Sequence, residues 1–160
     1  MICMDLSRLY FAIRDLNVTI NYEKLINVLL KSCEGENPSG EILEAFTKAD
    51  PKNKNQSKFL ERLEKLGINL RVYDASIPVN SFSTEMATIA ALSRDKSVTI
   101  LSNDRSLIRV FDILEEKGIS PTLCFFSEKL DKEWTPKILC GDTKFMDLSN
   151  PTIRKTITNN

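Results

Sequence analysis

Along nearly the whole chain, short apolar or alternating runs are followed by stretches whose apolar residues recur at helical spacing. This alternation constrains the fold more than any other feature. Residues 1–4 form an apolar run that ends at Asp5, and Leu6, Leu9, Tyr10 and Ile13 then predict a helix reaching Leu16. Asn21 is placed to cap a second helix striped by Leu25, Ile26, Leu29 and Leu30. After a Gly- and Pro-containing loop at 34–40, residues 41–48 (EILEAFTK) read as a strand and 50–55 as a polar turn. An amphipathic helix over 57–66 follows, closed by Gly67, with a strand over 68–73 (INLRVY). Past an irregular stretch broken by Pro78, Ser83 or Thr84 caps a helix running to about Ser93. Residues 97–101 (SVTIL) are apolar and β-branched, as in a strand buried on both faces. Asn103 or Asp104 opens a helix ending at Gly118, residues 119–126 form a further strand, and 144–148 (KFMDL) a short last one.

Strands alternating with helices predict an α/β, three-layer domain: a mostly parallel sheet of five or six strands with helices on both faces. Its 160 residues suffice for one core. The domain is expected to span 1–149, with a polar tail at 150–160 that frays. In such sheets, sites lie outside the carboxyl ends of the strands, near the point where strand order reverses.

Composition narrows the chemistry. The chain has no histidine, so a Ser-His-Asp or Cys-His nucleophile within it is ruled out, and a Cys/His zinc site is not expected from four cysteines outside any CxxC pair. Cys3 and Cys124 sit in apolar runs and read as buried thiols. With 22 basic and 22 acidic residues, the chain is not one held on nucleic acid by bulk charge. No basic leader and no apolar run near the ~20 residues of a membrane span are present, so a cytoplasmic protein without a membrane anchor is expected.

Three acids fall where a site belongs. Asp5 follows the first strand, Asp104 lies three residues past SVTIL, and Glu85 lies early in the preceding helix. If the first strand and SVTIL are neighbours, the three converge, and three carboxylates without histidine suit Mg²⁺ or Mn²⁺. The alternative is structural: Asp5 and Asp104 as helix caps, and Glu85 as a first-turn acid favoured by the helix dipole.

The order and wording of these elements resemble the NYN family of PIN-like nuclease domains, to about residue 149. MICMDLSRLYFAIRDL resembles the opening strand ending in Asp, with Asp5 in the acid position and Arg8 where an Asn is usual. FLERLEKLGINLRVYDASI resembles the helix-Gly-strand unit. SFSTEMATIAAL resembles the helix that begins Lys-Gly-x-Asp, placing Glu85 on the Asp. VTILSNDRSLIRVFDILEEKGI resembles the strand-Ser-Gly-Asp-x-Asp-Phe-helix unit, with Asp104 on the first Asp, Ser106 on the second and Asn103 on the Gly. KFMDL resembles the last short strand.

The resemblance implies a divalent-metal-dependent ribonuclease. Asp5, Glu85 and Asp104 would hold Mg²⁺ or Mn²⁺, Ser102, Asn103 and Ser106 would add polar contacts, and, on one of two readings of the departure at Arg8, Arg8 and Arg105 would point outward and grip the phosphate backbone beside the metal. The departures at Arg8 and Ser106 imply an alternative: a guanidinium can take a cation's place and pair with the acids, leaving an inactive domain that binds RNA or protein. A small nucleotide-binding protein is a weaker reading, because no Gly-rich phosphate loop follows any strand.

Other features read structurally. Tyr10 and Phe11 are expected to pack against the sheet, with base stacking as the alternative. Trp134 is expected to cover the sheet edge locally, with partner binding as the alternative. Lys48, Lys52, Lys54 and Lys58 read as a solvated cluster able to touch phosphates.

Overall fold

The computed structural model describes residues 1–33, 42–76 and 82–158. Six parallel strands of these residues form one sheet: β1 (Ile2–Asp5), β2 (Leu43–Ala49), β3 (Asn69–Asp74), β4 (Ser97–Leu101), β5 (Ser120–Phe125) and β6 (Lys144–Asp147). Their order is β3-β2-β1-β4-β5-β6. The chain builds outward from β1 to one edge, then returns to β1's other side with β4, so the order reverses between β1 and β4. Both are paired in register there, with Ile2 beside Thr99 and Met4 beside Leu101.

Among the described residues, seven α-helices cover the sheet's two faces: α1 (Leu6–Asp15), α2 (Tyr22–Cys33), α3 (Lys54–Lys65), α4 (Ser83–Leu92), α5 (Leu107–Glu116), α6 (Trp134–Leu139) and α7 (Pro151–Ile157). Successive side chains of a strand point to opposite faces. Accordingly, Ile2 and Met4 pack with α1, α2, α3 and α7 through Leu9, Leu25, Leu63 and Ile157. Met1 and Cys3 pack on the other side with α4, α5 and α6 through Met86, Phe111 and Trp134. The fold is therefore a three-layer α/β sandwich. Burial of both β4 faces accounts for its unbroken apolar run.

The expected strands all form, within a residue or two of their predicted bounds. Two helices were not expected. Residues 150–158 do not fray: the Asn150 side chain accepts from the Thr152 N–H, Pro151 sits in the first turn, and Ile157 is fully buried. A bridge between Ile20 and Thr158 ties the helix's end to the start of α2. Trp134 heads the other one, α6, and is fully buried edge-to-face on Phe111 at 5.0 Å, so it belongs to the core and not to a partner surface. Cys3 and Cys124 are buried and in no disulfide, and burial pushes the Cys3 thiol up to about 12. The predicted loop at 34–40, and most of the irregular stretch around Pro78, lie outside the described residues.

Candidate functional site

β1 ends at Asp5, and the chain turns at once into α1. The Asp5 side chain caps that helix, accepting from the Arg8 N–H at 2.9 Å. Capping fixes the carboxyl's position just outside the strand end, 1% exposed. On the neighbouring strand, β4 runs into Ser102, Asn103 and Asp104. Fully buried Ser102 accepts from the Asp104 N–H at 3.2 Å, and Asp104 in turn accepts from the Ser106 N–H at 3.0 Å and the Ser106 hydroxyl at 2.8 Å. These turns hold Asp104 against the same edge as Asp5, at the reversal of strand order. Asp5 thus has the capping role weighed above, whereas Asp104 holds the turn before α5, whose N-cap is Ser106, and both acids face one site.

Arg8 lies between them. Its guanidinium reaches Asp104 at 3.3 Å and Asp5 at 4.0 Å, with a long 3.5 Å contact to the Asn103 side-chain oxygen. Asn103 is fixed from its other end by donating to the Lys129 carbonyl at 2.8 Å. Burial pushes the Asp5 carboxyl up to about 6, and the nearby Asp104 charge adds to the rise. The Arg8 N–H and guanidinium pull the other way. A carboxylate so placed keeps its charge at neutral pH with a cation beside it.

Glu85 does not join the pair. It sits half-exposed in the first turn of α4, in the structural role of an acid near a helix N-terminus. The residue of α4 that faces the site is Ser83, buried, with its hydroxyl 2.8 Å from that of Ser106. At 3.6 residues per turn, positions 83 and 85 point about 200° apart, so the helix cannot present both. Among the described residues no group of three Cys, Asp or Glu side chains is placed to hold a metal ion. Arg105 also turns away, pairing with Glu133 at 2.9 Å on the exposed surface.

A divalent hard cation takes about six oxygen ligands and depends on carboxylate charge for its affinity. Two carboxylates, three serine hydroxyls already bonded within the site and a guanidinium between the acids do not fit that demand: the cationic place between Asp5 and Asp104 is taken by Arg8.

From this edge a cleft of about 1210 Å³ opens along the outer side of α1 towards α3. It is an open groove, larger than the ~300–1,000 Å³ of ordinary small-molecule pockets. Asp5, Arg8 and Asn103 lie at its head, and Tyr10, Phe11, Arg14, Lys48, Gln56 and Lys129 line its sides. Its charged lining comprises four cations, Arg8, Arg14, Lys48 and Lys129, against two carboxylates, Asp5 and Asp15. The wall is thus locally positive on a chain of formal net charge +0. Tyr10 and Phe11 are not core residues: they are 56% and 51% exposed. Lys52, Lys54 and Lys58 are exposed outside the cleft lining, and only Lys48 of that cluster reaches it.

No family model matches this chain, and no curated protein or solved structure matches it. No helix among the described residues is long and apolar enough to cross a membrane.

Proposed function

We propose that this chain is a PIN-like, NYN-type domain that binds RNA at the carboxyl edge of β1 and β4 without a metal ion. One observation carries the reading: the Arg8 guanidinium lies between Asp5 and Asp104, where the resemblance would put the cation. The arginine cancels part of the acids' charge and leaves a donor-rich head to a positively lined cleft. Backbone phosphates are the natural partners of such a lining, because guanidinium and ammonium groups bind phosphate oxygens by charge-assisted hydrogen bonds. Ser102, Ser83 and Ser106 act as supports that hold Asp104, and Asn103 orients Arg8.

The test is binding of a labelled RNA strand in EDTA, followed by gel analysis of the strand. Metal-independent binding with the strand intact, weakened by Arg8→Ala, is the expected result. Absence of any RNA binding overturns the proposal.

A metal-dependent ribonuclease is the second reading, and a specific observation favours it: two buried carboxylates do meet at the reversal point, and the Arg8 side chain is 37% exposed on their solvent side. Cleavage that requires Mg²⁺ or Mn²⁺ and vanishes in both Asp5→Asn and Asp104→Asn would establish it in place of the first.

A further inference from the structure

The chain has 8 phenylalanines, 3 tyrosines and 1 tryptophan, yet Tyr10 and Phe11 alone are exposed among the described residues. They are adjacent, both on α1, and both line the cleft that Arg8 heads. Leaving two large rings in water forgoes the burial that places the other aromatics in or against the core. The Leu6–Leu9–Ala12 stripe already seats α1 on the sheet, so neither ring is needed for packing.

Their arrangement is specific. The rings stand edge-to-face with centroids 5.6 Å apart, and the Arg14 guanidinium lies 5.0 Å from the Phe11 centroid. Arg8, Phe11 and Arg14 recur every three residues, so cation, ring and cation follow one another along one side of the helix. Across the cleft stand Lys48 and Gln56. Lys48 has no carboxylate partner within ion-pair distance among the described residues, unlike Arg14, which pairs with Asp15 at 3.2 Å.

We propose that the outer side of α1 is a base-stacking subsite for single-stranded RNA, with bases on Tyr10 and Phe11 and the backbone held by Arg8, Arg14 and Lys48. This deepens the RNA-binding reading and rests on it. Aromatic rings flanked by cations are how proteins hold unpaired strands, since every base has a π-face and each phosphate a charge. A duplex keeps its base faces inside its own stack and cannot offer them to exposed rings. The occupant is therefore an unpaired segment, and base identity is read weakly.

The experiment is fluorescence anisotropy in EDTA with a labelled oligouridylate of about ten nucleotides, within the usual site sizes. The same strand paired to its complement and a deoxy strand of the same sequence serve as comparisons. The variants are Tyr10→Leu/Phe11→Leu, which keeps an apolar surface without π-faces at exposed positions, and Phe11→Trp, whose added indole reports stacking. Expected are tighter binding of the single strand than of the duplex, an affinity loss of about 5- to 150-fold per stacked base in the leucine variant, and quenching of the added indole by RNA. Single-strand binding equal in the natural chain and the leucine variant overturns this subsite while leaving RNA binding standing. Binding of neither strand nor duplex by the natural chain overturns both. Tighter binding of the deoxy strand overturns RNA as the occupant.

Discussion

At the scale of single residues, Asp5 concentrates the competing forces. It caps α1 and lies beside Arg8, but burial, with the facing Asp104 charge adding to it, outweighs these attractions and leaves its pKa at about 6. Because this lies above its unfolded value of 3.8, the folded chain holds the proton more tightly than the unfolded one does. The stabilisation is complete below about pH 4 and is lost as pH rises through about 6, a change of roughly 3 kcal/mol at 1.36 kcal/mol per unit. Asn can cap a helix as well as Asp, so Asp5→Asn should keep the fold and remove this dependence. Chemical denaturation from pH 4 to 7 should show the variant gaining on the natural chain as pH rises. A constant difference across that range would contradict the assignment.

Residue-level reading of the sequence went furthest where a side chain's place was tied to a strand end, as with Asp5 and Asp104. It failed at Glu85, because an acid was the conspicuous residue of STEM while the helix's phase decides which position faces inward. The phase selects Ser83, and only its neighbour Ser106 across the edge discloses that. It failed too at Tyr10 and Phe11, although the information was present. Phe11 lies about 200° around the helix from Leu9, opposite the apolar stripe. Tyr10, one step round the helix from Leu9, falls at the margin of that stripe, so its helical spacing with Leu6 and Ile13 does not bury it.

At the scale of elements, the inner strands were legible because burial on both faces forces β-branched and apolar runs, of which SVTIL is the clearest, and the more exposed β3 by its alternation of apolar and polar residues. The last helix was missed because its residues are mostly polar. Asn150 as cap, Pro151 in the first turn and Ile153 and Ile157 four apart are nonetheless its signals. Ile157 belongs to the cluster beneath α1 and α2, so α7 closes one face of the core. Ile157→Ala should therefore cost about 2–5 kcal/mol in unfolding free energy, as for other buried large-to-small changes. A loss below about 0.5 kcal/mol, the ordinary range of surface substitutions, would mean that α7 contributes no packing.

At the scale of the whole molecule, the sheet order sets where the candidate site lies. Reversal between β1 and β4 opens the edge where Asp5, Arg8 and Asp104 meet, and α1, leaving that edge directly, forms the wall of the cleft. On a chain of formal net charge +0, the proposed association with RNA depends on this local lining. With four cations in the cleft, the logarithm of RNA affinity should fall with the logarithm of salt no more steeply than about −3 for a single strand. A slope near −6, read from the same anisotropy titrations, would place most of the contacts elsewhere on the surface.

The central claim is that Arg8 holds the place of a cation between Asp5 and Asp104. Isothermal titration of Mn²⁺ into the natural chain tests it most directly, with Asp5→Asn/Asp104→Asn as the reference. The account predicts no specific binding heat in the natural chain, and the same trace in the reference. Stoichiometric Mn²⁺ binding that disappears in the reference would contradict it and return the site to the metal-dependent ribonuclease reading.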